Sequence, residues 1–276
     1  MTDSRSVQRL SSTVRCLTAP NPSPMTANGT NSYIVGKRSY MVIDPGPVID
    51  SHIDAILSLT DGEVSHILCT HTHPDHSPAS KPLAEMTGAK VVGALPATVE
   101  NQDQSFAPDE QPQHGGLISN GEVSLKALYT PGHVGNHYCF LSEADGVLFS
   151  GDHVMSGSTV VIIPPEGDMA DYLNSLDLLA TIDMNVIAPA HGTLIEDPHD
   201  EIKRVKAHRL SREQKVVDAL KATALGLDAL VEVVYDDVPK QMHRWAKLSL
   251  TAHLLKLEQD GRTVKEARGW RKVGEG

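Results

Sequence analysis

Residues 71 to 76, HTHPDH, constrain this chain more than any other stretch, because they place three imidazoles and a carboxylate directly after the apolar run VSHILCT. In an extended backbone alternate side chains point the same way, so His71 and His73 can reach one point. Pro74 cannot continue a strand ladder, and the strand is expected to end there. Asp75 and His76 then fall in a turn before the next helix, aimed at a second point close by. Imidazole nitrogen and carboxylate oxygen are the donors that divalent zinc accepts, at roughly 2.0 to 2.2 Å. Two adjacent cations need more donors than this stretch supplies.

The flanking pattern predicts where the others come from. STVRCLTA, NSYIVG, SYMVID, VSHILCT and AKVVGAL read as short strands, and so do EVSLKALYT, HYCFLSE, GVLFSGD and NVIAPAHG. Between them, IDSHIDAILSLTDG reads as a helix with Ile53, Ile56 and Leu57 inward and a glycine stop. KPLAEMTG reads as a short helix closed by Gly88, and DMADYLNSLDLLATI as one capped by Asp168, with Leu173, Leu176, Leu179 and Ile182 inward. Residues 94–120 carry no periodicity and read as one long loop. Two strand-rich halves with helices between them predict an α/β sandwich of two sheets covered by helices.

From about residue 197 the pattern turns helical. A long basic helix is followed by a short one and then by PKQMHRWAKLSLTAHLLKLEQDG, which starts near Pro239 and stops at Gly261. Met242, Ala246, Leu250, Leu254 and Leu257 share one face of that third helix; Lys240, Arg244, Lys247 and Thr251 share another. RTVKEARGWRKV reads as a hairpin, completing the order of a winged helix. The predicted division is a catalytic domain over 1–198 and a linker helix plus winged helix over 199–276.

Charge follows that division. Residues 1–199 hold 8 Lys and Arg against 23 Asp and Glu, a net of −15, while residues 200–276 hold 16 against 12, a net of +4. The acidic part repels a polyanion unless bound cations or a basic neighbour offset it. No run approaches the roughly 20 apolar residues that span a bilayer, and no signal-peptide core opens the chain. With three cysteines, Cys16, Cys69 and Cys139, at unpaired spacings, no disulfide framework is expected, and Cys69 reads as core. The expected setting is cytoplasmic, without membrane.

Further donors stand at predicted strand ends: His133 in TPGH, Asp152 in SGDH and His191 in PAHG, with Gly132, Gly151 and Gly192 beside them allowing sharp turns. His153 is a candidate supporting residue. His52, His66, His114, His137, His199, His208, His243 and His253 read as structural or exposed. The set HxHxDH, TPGH, SGDH and AHG resembles the metallo-β-lactamase superfamily, whose fold is an αββα sandwich. The resemblance implies His71, His73 and His133 on one metal, Asp75, His76 and His191 on the other, and Asp152 bridging. NGTNSYIVG and VIDPG match that superfamily's opening hairpin.

GDMADYLNSL, HRLSREQ and HLLKLEQDG extend the resemblance to the β-lactamase-like protein 2 group, which carries a C-terminal winged helix. The usual Gly-Gly after the motif is here Ser77-Pro78-Ala79-Ser80. Known members include a single-strand-specific endoribonuclease and fungal polyketide thioesterases. A metal-dependent hydrolase is therefore expected, holding two divalent ions (zinc first, manganese or iron also accepted) that lower the pKa of a shared water to about 7. Asp75 is the expected residue to orient that water and shuttle its proton.

Two substrates follow. Single-stranded RNA stands first, on the resemblance and on a basic winged helix, where Lys240, Arg244, Lys247, Arg268, Trp270, Arg271 and Lys272 could meet phosphates and a base. An acyl-thioester, ester or lactone is the alternative, favoured by the acidic catalytic part. A non-catalytic nucleic-acid-binding regulator is the remote one. Lys203, Arg204, Lys206, Arg209, Arg212 and Lys215 read as a solvated helix face. Tyr172 and the stretch HVMSGSTVVIIPPEG are candidates to wall the pocket.

Overall fold

The computed structural model describes residues 7–97, 100–221 and 223–273. Its first sheet orders β1 (Gln8–Arg9), β2 (Val14–Thr18), β3 (Asn31–Gly36), β4 (Tyr40–Ile43), β5 (Val64–Leu68) and β6 (Lys90–Val92). The first four run antiparallel in sequence, and β4, β5 and β6 are parallel. The second sheet holds β7 (Leu117–Ser119), β8 (Ser124–Tyr129), β9 (Tyr138–Ser142), β10 (Val147–Gly151) and β11 (Val186–Pro189), in the spatial order β11-β10-β9-β8-β7.

Period-2 alternation assigns the two faces of each sheet. Met41 and Ile43 of β4 meet Phe140 and Phe149 of the second sheet in the inter-sheet core. Val42, between them, turns outward onto Ile53 and Ile56 of α1 (Asp50–Thr60) and Leu83 of α2 (Ser80–Thr87). On the far side Leu148 of β10 packs against Leu173, Leu176 and Leu179 of α3 (Met169–Ala180). The layers are therefore αββα, as expected. Asp168 caps α3, its carboxylate accepting the Ala170 and Asp171 N–H groups at 2.7 and 2.9 Å.

Three local expectations need correction. The segment 94–120 is not all loop: β7 pairs with β8, and Val92 bridges to Glu110. Its short alternation, with Ile118 buried between exposed Leu117 and Ser119, is too brief to read as a strand. Helix α1 ends at Thr60, and Asp61, one residue before the expected glycine, takes the left-handed cap position (φ 50°). The β5 ladder ends at Leu68, well before Pro74, with only the Cys69 N–H still reaching Val92 O.

The C-terminal part comprises α4 (Pro198–Ala219), α5 (Leu227–Val234), α6 (His243–Gln259) and the hairpin β12 (Thr263–Glu266) and β13 (Gly269–Lys272). Helix α4 serves two cores: Ile202 and Val205 join the α3 layer, while Val216 and Val217 join Leu250, Leu254, Leu257 and Trp270. Arg209 and Arg212, read from sequence as solvated, are buried. The Arg209 guanidinium lies over the Tyr172 ring and donates to Val160 O. Arg212 lies over Tyr235 and is bidentate to Asp237 at 2.7 and 3.0 Å. A helical wheel shows their charge but not the carbonyl and rings that receive them. Among the described residues no helix is long and apolar enough to cross a membrane.

Candidate metal centre

All seven donors expected from sequence stand beyond the C-terminal ends of β5, β8, β10 and β11, and the structure brings them together. Three groups have their donor atoms within 4.8 Å of one another: His71/His73/His133, His71/His76/Asp152 and Asp75/His76/His191. His73 Nδ1 is 2.9 Å from His71 Nε2 and 3.1 Å from His133 Nε2. Asp75 Oδ2 lies 3.2 Å from His191 Nε2. Asp152 faces both groups, with Oδ1 3.4 and 3.6 Å from His191 and His76 Nε2, and Oδ2 3.8 Å from His133 Nε2.

Four of the five rings that show a nitrogen to this centre have the other held from outside. His71 Nδ1 donates to Thr70 Oγ1 (3.1 Å), His76 Nδ1 to Asp44 Oδ2 (3.0 Å), His133 Nδ1 to Val161 O (2.8 Å) and His191 Nδ1 to Gly29 O (3.2 Å). Such outer partners fix tautomer and ring angle at metal sites. His76 Nε2, His191 Nε2 and Asp152 Oδ1 are buried without a directed hydrogen bond. Orphaned polar atoms that converge on one point are costly unless something fills it. A hard or borderline divalent cation fits that nitrogen and oxygen set.

Electrostatics divide the centre. Burial, reinforced by neighbouring imidazoles, holds His71 well below its ordinary pKa, His73 at about 3, and His133 low as well. Their surroundings therefore favour the neutral imidazole, the form that binds a cation. Burial would also lower His76 and His191, but the carboxylates Asp75 and Asp152 outweigh it and push both up. Burial would raise Asp75, yet His76 and His191 bring it to about 2. A cation on this second side would displace protons that the carboxylates otherwise hold on the rings.

Two residues that the sequence reading passed over organise the site. Asp44, left-handed at φ 48°, accepts the Thr70 N–H at 2.7 Å and the Thr70 hydroxyl at 2.8 Å besides the His76 ring. It takes the backbone donor that a continuing ladder would have used, which is why β5 stops early and the motif swings clear. His137, expected to be merely structural, accepts the Asp152 N–H at Nε2 (3.2 Å) and donates from Nδ1 to Thr130 Oγ1 (3.0 Å). Only Asp44 left a sequence trace, in VIDPG. His153 is fully buried and stacked on Tyr172 at 4.6 Å, with neither ring nitrogen hydrogen-bonded. Cys69 lies in the core under α2.

Gly132 and Gly151 are required as expected. A Cβ on Gly132 (φ 139°) would meet the Tyr172 backbone at 2.3 Å, and one on Gly151 (φ 51°) would meet Thr70 Oγ1 at 2.6 Å.

A cleft of about 780 Å³ opens over His73, Asp75, His133 and Asp152. The stretch 155–166 walls one side, as expected, whereas Tyr172 is buried in the core beneath it. That wall is tied down at three successive residues: Val160 O by Arg209, Val161 O by His133, and the Ile162 N–H by Ser249 Oγ of α6 at 3.3 Å.

The family model described as "Metallo-beta-lactamase superfamily" matches residues 25–191, spanning every donor above. The chain belongs to the metallo-beta-lactamase superfamily. A second model, "Beta-lactamase associated winged helix domain", matches residues 227–270. Among relatives, the chain is 30% identical to the Beta-lactamase-like protein 2 homolog of Drosophila melanogaster over 275 residues, covering 93% of this chain and 91% of that one. It is also 30% identical to the atrochrysone carboxyl ACP thioesterase of Aspergillus chevalieri over 286 residues, covering 95% and 86%. The fold matches a beta-lactamase domain protein from Burkholderia ambifaria with TM-score 0.83 at 20% identity, over 99% of this chain and 95% of that chain. This superfamily member thus carries the winged helix as well as the sandwich.

Proposed function

We propose that this superfamily member is a metal-dependent hydrolase of thioesters or related carboxylic esters. In this reading His71, His73 and His133 would hold one divalent cation and Asp75, His76 and His191 a second, with Asp152 facing both groups; zinc is the first candidate. Bound there, the cations supply Lewis acidity toward a water and toward the scissile carbonyl. Asp75 then takes the water's proton on a carboxylate oxygen. With 29% of its side chain exposed, against 13% for Asp152 and 2% for His191, it has the most open face toward the cleft. Asp44 and His137 keep His76 and Asp152 aimed while the walls exclude bulk water.

The character of the cleft carries the choice of substrate. Its walls are largely apolar, and no Lys or Arg among the described residues lines it. An RNA backbone needs cations along its path, and the cations of the C-terminal part are mostly engaged. Lys240 pairs with Glu232 at 3.3 Å, Lys215 with Asp236 at 2.7 Å, Arg271 with Glu266, and Lys247 with Asp228. The likeness to a curated thioesterase supports the same choice.

Purified protein loaded with zinc or manganese, with metal content measured, should hydrolyse acyl-thioesters or aryl esters at rates that hardly change between 50 and 200 mM salt. Cleavage of single-stranded RNA that falls steeply over that range, with no ester or thioester turnover, would reverse the proposal.

A further inference from the structure

We infer that three side chains of α6 and the turn before it, Met242, Trp245 and Leu248, form the acyl-binding wall of the cleft. On that view the C-terminal domain selects a neutral, apolar acyl group, an inference that rests on the ester-hydrolase reading.

Two stripes of this helical segment have different jobs. Ala246, Leu250, Leu254 and Leu257 fill the core of the winged helix. Met242, Trp245 and Leu248 recur every three residues on a neighbouring stripe and line the cleft instead. The Arg244 guanidinium lies over the Trp245 ring, its carbon 4.8 Å from the ring centroid. Val161 and Ile163 line the same cleft from the stretch that Ser249 tethers to α6. At the mouth Met25 and Met242 remain 44% and 41% exposed. Methionine adapts to irregular apolar shapes, and an apolar concavity beside convergent polar groups is the usual form of a ligand site.

Charge narrows the occupant. Besides the metal-binding side chains, the ionisable residues lining the cleft are Glu100 and Glu166. An acyl group bearing its own carboxylate would meet two like charges and, among the described residues, no lining cation. A neutral chain or ring, with its carbonyl over His73 and Asp75, meets mainly apolar side chains beyond it, among them Val161, Ile163, Trp245 and Leu248.

The test is an acyl series on one leaving group: acetyl, butyryl, hexanoyl, octanoyl and glutaryl thioesters of N-acetylcysteamine. Burial of each methylene is worth about a fourfold gain, so kcat/KM should climb from acetyl toward octanoyl by two- to fourfold per carbon. Glutaryl should fall below butyryl. Trp245→Ala should lose at least tenfold more on octanoyl than on acetyl, mostly in KM, and Trp245→Phe should recover most of that loss. Equal losses at every chain length, or an unchanged profile, would overturn the inference.

A second readout does not need turnover. The chain has two tryptophans, and Trp270 is only 2% exposed in the wing. Fluorescence should therefore shift on adding the non-hydrolysable S-octyl thioether of N-acetylcysteamine, and Trp245→Phe should abolish that response. A shift without thioester hydrolysis would keep the wall and sink the reaction class; hydrolysis with no shift and no chain-length trend would do the reverse.

Discussion

At the sheet rim, Asp75, His76, Asp152 and His191 crowd together at 3.2 to 3.7 Å while two ring nitrogens and a carboxylate oxygen lack directed hydrogen bonds. In the C-terminal domain, charges meet in pairs: Arg212 with Asp237, Lys215 with Asp236, Lys240 with Glu232. Both regions are rich in ionisable groups. Buried polar atoms without hydrogen-bond partners also occur in the C-terminal part, at Glu213 Oε2 and both His253 ring nitrogens. At the rim, however, the groups come from four strand ends and lie within coordination reach of one another. Donors gathered from several strand ends without partners mark a place built for a ligand, whereas charges that meet in pairs mark architecture.

Substitutions at each place should therefore differ in kind as well as size. Asp152→Ala should reduce hydrolysis by roughly a thousandfold and lower the bound metal, with circular dichroism unchanged. A variant that kept full activity and full metal content would erase the contrast. Asp44→Asn keeps the shape but weakens the hold on Thr70 and His76, and should cost about 10- to 100-fold in metal affinity or activity, read by chelator competition.

Arg212→Met belongs to the other region. It should leave the rate per folded molecule alone and lower stability by about 2 kcal/mol, seen as a shift in the urea midpoint. The figure is held down because Asp237, the partner left behind, is 54% exposed.

The smallest effect concerns pH. Burial would raise the Glu213 carboxyl, but His253 at 3.8 Å and the Lys256 ammonium at 3.2 Å outweigh it and hold it below its ordinary 4.5. A depressed carboxyl stabilises the fold above the unfolded-state value and loses that contribution as pH falls through the folded one. Urea midpoints should therefore drop below pH 4.5 in the native chain and drop less steeply in Glu213→Gln. Parallel curves would mean that this pair, too, is uncompensated.

The clustering at the rim was legible because its signals are local. His71 and His73 sit two apart, and His133, Asp152 and His191 follow short apolar runs, so period and position alone place them. The sandwich was legible for the same reason, since each strand's alternation declares which face is buried. Asp44 and His137 were not, because they act across 26 and 15 positions through contacts that no spacing encodes. Arg209 and Arg212 look like solvent charges on a helix until carbonyls, an aspartate and aromatic rings are brought to them. Met25 and Trp245 escaped notice because a partly exposed apolar residue is ordinary until a cavity surrounds it.

The three tethers on Val160, Val161 and Ile162 bear on how this molecule could be shortened, by a protease or by descent. Severing the chain just before α4 would spare all seven donors, yet remove Arg209 and Ser249 and so free the carbonyl that braces His133. The smaller fragment would keep its ligands and lose their aim. A lineage that has come to rely on this brace cannot shed its tail without first finding another way to hold one imidazole still.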